Sequence, residues 1–187
     1  QTANFWVSRA VENADGSYSI HNVVGADEYA QHVDDNAFTN ASAIESLKNT
    51  IKAAKILNEK VNEEWIKVSE KLVIHKENGI TQNYKGYKGQ MIKQADVNLL
   101  AYPLHIITDK EQIKKDLEYY ADKIDKKDGP AMASGVLSVL YAWLGDRDKA
   151  YEYFVKSYLP NSRPPFGVFS ESANSNNPYF ATGAGAM

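Results

Sequence analysis

Apolar residues recur along this chain at three- and four-residue steps, in blocks separated by polar, glycine-containing stretches. This is the periodicity of helices that bury one face. The opening segment from Gln1 to Arg9 already carries it. Ile44, Leu47, Ile51, Ala54 and Leu57 form a long stripe; Ile113, Leu117, Tyr120 and Ile124 form another. Val136, Leu140 and Trp143 make a further stripe, as do Ala150, Phe154 and Tyr158. With start and stop signals added, the pattern predicts helices over 36–58, 62–73, 94–101, 110–124, 130–144 and 147–158. Asp35 or Asn36 supplies a cap for the first of these. Gly129-Pro130 opens a helix with Pro in its first turn, and Gly145 closes that helix.

Between the helices the chain changes character. Asp15-Gly16 followed by Ser17 to Val24 reads as a turn and a short extended run. Loops at 21–35, 77–92 and 159–187 are rich in Gly, Asn and Tyr. Paired helices in succession point to an all-α fold, either an α/α toroid or a helical solenoid, and no fixed internal period marks a solenoid. Long loops gathered at one rim of a helical barrel are where a site is expected.

Bulk properties narrow the function. The 187 residues are 43% hydrophobic and 24% charged, an ordinary globular composition of one-domain size. A net charge of −3 offers no basic face to offset phosphate repulsion, which argues against nucleic acid as a partner. No apolar run is long enough to cross a membrane as a helix. The absence of cysteine excludes disulfides and thiolate metal sites and leaves the compartment open, periplasmic and extracellular included. The four histidines show no ligand spacing; His32 with Asp34 and Asp35 is a weak cation candidate, and no metal or other cofactor is expected. The twelve Tyr, six Phe and three Trp suit sugar-stacking walls and core packing alike.

The densest chemistry lies in Gly25-Ala26-Asp27-Glu28-Tyr29, followed by His32-Val33-Asp34-Asp35-Asn36-Ala37-Phe38-Thr39-Asn40. A general acid needs a backbone fixed by its neighbours and a side chain that projects into a cleft. Glu28 meets that need on a Gly-bounded loop, with Tyr29 as an aromatic wall. A solvated Glu on a capped loop fits the same residues.

These two stretches resemble the signature of glycoside hydrolase family 65. In that family a Gly-Pro-Asp-Glu-Tyr or -Phe motif carries the general acid and an Asn-Asn-Ala-Tyr/Phe-Thr-Asn stretch follows. Lys93-Gln94-Ala95-Asp96-Val97 resembles the family's Lys-Gln-Ala-Asp segment, and Leu144 to Tyr151 resembles a scaffold junction between helices. Together they span most of the chain in the expected order. Ala26 departs from the usual Pro and frees one φ angle of the loop.

The resemblance implies part of an (α/α)6 barrel with long irregular active-site loops. Residues 1–187 would then be a fragment of one catalytic domain, with the preceding part of the barrel and an N-terminal β-sandwich absent. It assigns Glu28 as general acid and gives Lys93 and Gln94 the hydroxyls of the glucosyl unit to hold. Glu171, in the Pro- and aromatic-anchored run Pro164 to Ser172, is the candidate general base, a surface Glu on a closing loop being the other reading. The implied activity is inverting hydrolysis of an α-glucosidic bond, in a trehalose- or kojibiose-type disaccharide or an α-glucosyl glycoconjugate. Family phosphorylases carry a phosphate-binding His-Gly-Ser-Ser loop; the stretch here, Lys126-Lys127-Asp128-Gly129-Pro130-Ala131-Met132, lacks the His and the Ser pair, which favours water. A noncatalytic carbohydrate-binding scaffold is the competing class. A truncated barrel would also expose apolar helix faces through which copies of the chain could associate.

Overall fold

The computed structural model describes residues 1–175 together with Phe180, Ala181 and Gly185. Helices dominate: α1 (Thr2–Arg9), α2 (Ala37–Ile56), α3 (Glu63–Lys71), α4 (Lys110–Ala121), α5 (Ala131–Leu144) and α6 (Arg147–Lys156). Among the described residues, three short antiparallel hairpins accompany them. They pair β1 (Ala10–Glu12) with β2 (Tyr18–Ile20), β3 (Lys76–Glu77) with β4 (Ile80–Thr81), and β5 (Ser162–Arg163) with β6 (Val168–Phe169). The chain divides into two compact units, Gln1–Gly25 with Ala30–Tyr87, and Ala26–Tyr29 with Lys88–Met187.

In the first unit α1, α2 and α3 pack on one another. The α2 helix starts where Asn36 accepts the Thr39 amide at 2.8 Å, so Asn36 is the cap of the two residues offered by the sequence. Asp35 is turned inward instead. Its Oδ1 accepts the Ile20 amide at 3.1 Å, and its Oδ2 meets the Ser19 hydroxyl at 3.0 Å and His75 Nε2 at 2.9 Å. His32 and Asp34, grouped with Asp35 as a cation candidate, hold other partners: Asn22 for His32 and His21 for Asp34. The α2 stripe buries Ile44, Leu47 and Ala54, whereas Leu57 has left the helix and is exposed.

The second unit is built around Ile113 and Leu117 of α4 and Ala133, Leu137, Leu140 and Tyr141 of α5, with Ala95 and Ala101. Asp109 and Asp146 cap α4 and α6 by accepting the Gln112 and Lys149 amides, each at 3.0 Å. Pro130 stands at the cap position of α5, just before the first turn, and Gly145 ends the helix at φ +83°, a left-handed conformation that favours glycine. The buried face of α5 is offset from the predicted stripe: Leu140 is central, Val136 is partly buried, and Trp143 is 41% exposed. In α6, Ala150 and Tyr153 pack against the core while Phe154 is 43% exposed, because a helix at the edge of this unit buries only a narrow face.

The helix expected over 94–101 contracts to a 3-10 turn at Val97–Leu100. Upstream, the Lys93 amide is drawn to the Asp27 carboxylate at 2.8 Å; downstream, Pro103 disfavours helical geometry in its predecessor. Held at both ends, the segment keeps only a short 3-10 turn. No helix among the described residues is long and apolar enough to cross a membrane.

Candidate active site

The second unit contains the Ala26–Tyr29 loop, Lys93-Gln94 and the 125–131 turn, together with Glu171. The Ala26–Tyr29 loop is held by Asp27, which is 2% exposed. The Asp27 amide donates to Asp96 Oδ2 at 3.1 Å, and Asp27 Oδ1 accepts the Lys93 amide at 2.8 Å and the Tyr29 amide at 3.3 Å. Turning Asp27 inward leaves its neighbour Glu28 outward, with its side chain 58% exposed. On the other flank, the Tyr29 hydroxyl donates to Asp125 Oδ2 at 2.9 Å.

Glu171 reaches the same place from the far end of the sequence. The β5–β6 hairpin delivers it, and the Asn161 side chain donates to the Ser170 and Glu171 carbonyls at 3.1 and 3.0 Å. The Ala131 amide, at the start of α5, donates to the Glu171 carbonyl at 3.3 Å, and Pro130 bridges Ser172. These bonds clamp the backbone at Ser170 and Glu171, beside the prolines of the run.

Between the two carboxylates stands Lys93. Its ammonium pairs with Glu28 and lies 3.4 Å from Glu171 Oε1. Two oxygens that share one ammonium are no more than about 7 Å apart, twice a long hydrogen bond. Hydrogen bonding to Glu28 raises the Lys93 pKa above its ordinary value; burial opposes the rise and Glu171 adds to it. Gln94 lies alongside, its side-chain amide donating to the Ala26 carbonyl and thus to the loop that carries Glu28.

Of the four residues singled out in the sequence, Glu28, Lys93 and Glu171 therefore converge, and Gln94 braces the loop that carries Glu28. Asp27, Asp96 and Asp125 were not anticipated as parts of this arrangement. Asp27 finds Asp96 sixty-nine residues away, a separation that local periodicity does not encode. The only signal was position: one carboxylate beside the outward acid, the other inside the Lys-Gln-Ala-Asp run. Among the described residues no group of three or more His, Asp or Glu side chains is placed to hold a metal ion.

The 125–131 turn is notable for what its amides do. Those of Lys127 and Asp128 donate to Asp125 Oδ1 at 2.8 and 3.1 Å, and that of Gly129 to the Asp125 carbonyl at 3.0 Å. Pro130 has none, and that of Ala131 goes to Glu171. Backbone donation to an anion is thus committed elsewhere throughout 127–131. Gly129 is required by close approach: a Cβ there would overlap the Asp125 carbonyl and sit 3.1 Å from that of Lys93.

Comparison with known proteins bears on this geometry. The sequence model of the glycosyl hydrolase family 65 central catalytic domain matches residues 1–89 and 81–161. A kojibiose hydrolase of Flavobacterium johnsoniae is 50% identical over 187 residues, covering 100% of this chain and 28% of that protein. A protein-glucosylgalactosylhydroxylysine glucosidase of Dictyostelium discoideum is 34% identical over 191 residues, covering 99% of this chain and 27% of that protein. The chain thus spans little more than a quarter of the length of these curated relatives. A solved human-microbiome structure that carries the name of a kojibiose phosphorylase superposes with a TM-score of 0.70 at 18% identity, over 83% of this chain and 27% of that one. That likeness shows the fold, part of an (α/α)6 barrel. The matched motifs, the fold and the family model together mean that this chain belongs to glycosyl hydrolase family 65, within its central catalytic domain.

Proposed function

We propose that this chain forms part of the catalytic domain of an inverting glycoside hydrolase that cleaves α-glucosidic bonds. Glu28 protonates the departing oxygen and Glu171 draws a proton from the attacking water. Lys93 and Gln94 hold hydroxyls of the glucosyl unit once its binding draws them from their present partners. The observation that carries the reading is the convergence of Glu28 and Glu171 on Lys93. Inversion needs carboxyl groups about 6.5–9.5 Å apart, so that water fits beside the sugar. The two oxygens joined through the Lys93 ammonium lie closer together than that window, and moving Lys93 onto a substrate hydroxyl would let the carboxylates part.

The committed amides of 127–131 favour water over phosphate as nucleophile, since an anion there would find few free backbone donors. The name borne by the Flavobacterium relative favours a kojibiose-type disaccharide over trehalose, with glucosyl glycoconjugates as further substrates. The test is phosphate-free turnover of kojibiose by the protein that carries this chain, and of α-glucosyl fluoride, whose single glucose product is examined by NMR as first formed. β-Glucose is expected, and Glu28→Gln is expected to lower kcat on kojibiose by about 10²–10⁴-fold, the usual worth of a general acid. Near-normal turnover of the variant, or first-formed α-glucose, would overturn the assignment.

A further inference from the structure

Glu28 is more than half exposed, yet a general acid must hold its proton within hydrogen-bond reach of one oxygen. Something other than its own burial has to aim it. Asp27, through Asp96 and the Lys93 amide, and Gln94, through the Ala26 carbonyl, anchor the loop ahead of Glu28, and the side after Glu28 needs a side-chain anchor of its own. That anchor is Tyr29, whose hydroxyl reaches Asp125 Oδ2 at 2.9 Å across ninety-six residues of sequence.

Asp125 is a firm attachment. Its amide donates to the Ile92 carbonyl at 2.8 Å, and the Ile92 amide donates to the Lys123 carbonyl at 2.9 Å. Its other carboxylate oxygen accepts the Lys127 and Asp128 amides. The strand of chain that leads into Lys93 is therefore tied to the same turn that receives Tyr29. A phenol donating to a carboxylate forms a charge-assisted bond, stronger than a neutral one. Donation to Asp125 raises the Tyr29 pKa and, after the two backbone amides, helps lower that of Asp125, so the phenol and carboxylate forms that make the bond both persist through neutral pH.

We infer that Tyr29 and Asp125 are positioning residues for the reaction: their hydrogen bond aims Glu28 at the glycosidic oxygen. The inference rests on Glu28 being the acid. It separates from a general structural role because proton donation matters only when the leaving group needs it. A disaccharide such as kojibiose expels a sugar alkoxide and depends on the acid. α-Glucosyl fluoride expels fluoride, which leaves with little protonation, from the same glucosyl subsite.

The experiment compares kcat/KM for kojibiose and α-glucosyl fluoride in the protein that carries this chain. Tyr29→Phe, which keeps the ring and removes only the hydroxyl, is expected to lower the kojibiose-to-fluoride ratio by about tenfold or more, the worth of a hydrogen bond to a charged group. Asp125→Asn keeps an acceptor for the Lys127 and Asp128 amides, changes the oxygen that holds Tyr29, and should lower the ratio in the same sense. Adding Tyr29→Phe to Glu28→Gln should cost nothing further on kojibiose, because Tyr29 acts through Glu28. Equal losses on both substrates, no loss on either, or full additivity in the double variant would overturn the inference. Glu28→Gln alone distinguishes the two readings. If it fails to lower the ratio, the acid assignment is wrong and takes the inference with it. If it lowers the ratio and Tyr29→Phe does not, only the positioning role fails.

Discussion

Replacing Gly129 by Ala tests whether the turn beside the candidate site is as tightly seated as the structure shows. The added Cβ would overlap the Asp125 carbonyl oxygen by about 1 Å, measured against an ordinary C···O approach of about 3.3–3.6 Å. It would also press on Ile124 Cγ2 and the Lys93 carbonyl, each at 3.1 Å. Two of the three neighbours are backbone, so relief requires the turn itself to move. Overpacking of this kind costs about 1–3 kcal/mol, from which the reduced freedom of the unfolded alanine chain removes about 0.4–1 kcal/mol. A net loss of about 1–2 kcal/mol lowers the melting temperature by about 2–4 °C per kcal/mol for a folding unit of 150–250 residues. The functional loss should be larger than the stability loss implies. The turn supports Lys93 and holds the Glu171 backbone, and a shift of about 1 Å in a reacting group can cost 10²-fold in rate. Thermal unfolding and kcat/KM on kojibiose, measured on the same preparation, report both effects. An alanine variant that melts and turns over like the wild type would refute the close approach and the coupling inferred from it.

Three further outcomes are expected. Glu171→Gln should reduce kcat by about 10²–10⁴-fold, as for loss of a general base, and unchanged hydrolysis would remove Glu171 from the reaction. Lys93→Met should destabilise the protein at neutral pH. Because the folded-state pKa of Lys93 is raised, its contribution is fully present below the ordinary lysine value of about 10.4 and fades as pH rises through the raised value. The stability gap between wild type and variant should therefore stay constant through neutral pH and close under strongly alkaline conditions; a gap that persists unchanged at strongly alkaline pH would contradict the clamp. Asp35→Ala should cost about 3 kcal/mol in denaturant unfolding by stranding the buried Ile20 amide and Ser19 hydroxyl. Asp35→Asn should recover part of this, since Asn keeps an acceptor oxygen and tolerates the φ of +51° there; a negligible cost for the alanine variant would refute the role given to the network.

The helices could be read from the chain because each carries a local signal. Asn36, Asp109 and Asp146 cap, Gly145 terminates, and the leucines and isoleucines between them recur at helical spacing. Failures occurred where a distant partner decides the outcome. The 94–101 segment has helical composition, but Asp27 holds the amide of Lys93, the residue that leads into it. Trp143 fits an apolar stripe by spacing and lies largely outside it, stacked on His105 with ring centroids 5.6 Å apart. The candidate site divides in the same way. Glu28, Lys93, Gln94 and Glu171 stand in motifs readable in one dimension. Asp27, Asp96 and Asp125 act through bonds that exist only once the chain has folded, and an isolated Asp in a sequence looks the same whether it faces water or supports an acid loop.

The 125–131 segment has a consequence for how this region tolerates change. At one end Asp125 grips Tyr29, at the other Ala131 grips Glu171, and in between Gly129 rests on Lys93. It therefore works as a ruler laid between the proposed acid and the proposed base, and what a ruler must preserve is its length. The exposed side chains of Lys126, Lys127 and Asp128 can change, because the Lys127 and Asp128 backbone amides and not these side chains hold the span. One residue added or lost there changes the gap between the carboxylates, and with it the size of the nucleophile that fits. Substitution in this stretch tunes little, whereas insertion and deletion redraw the chemistry.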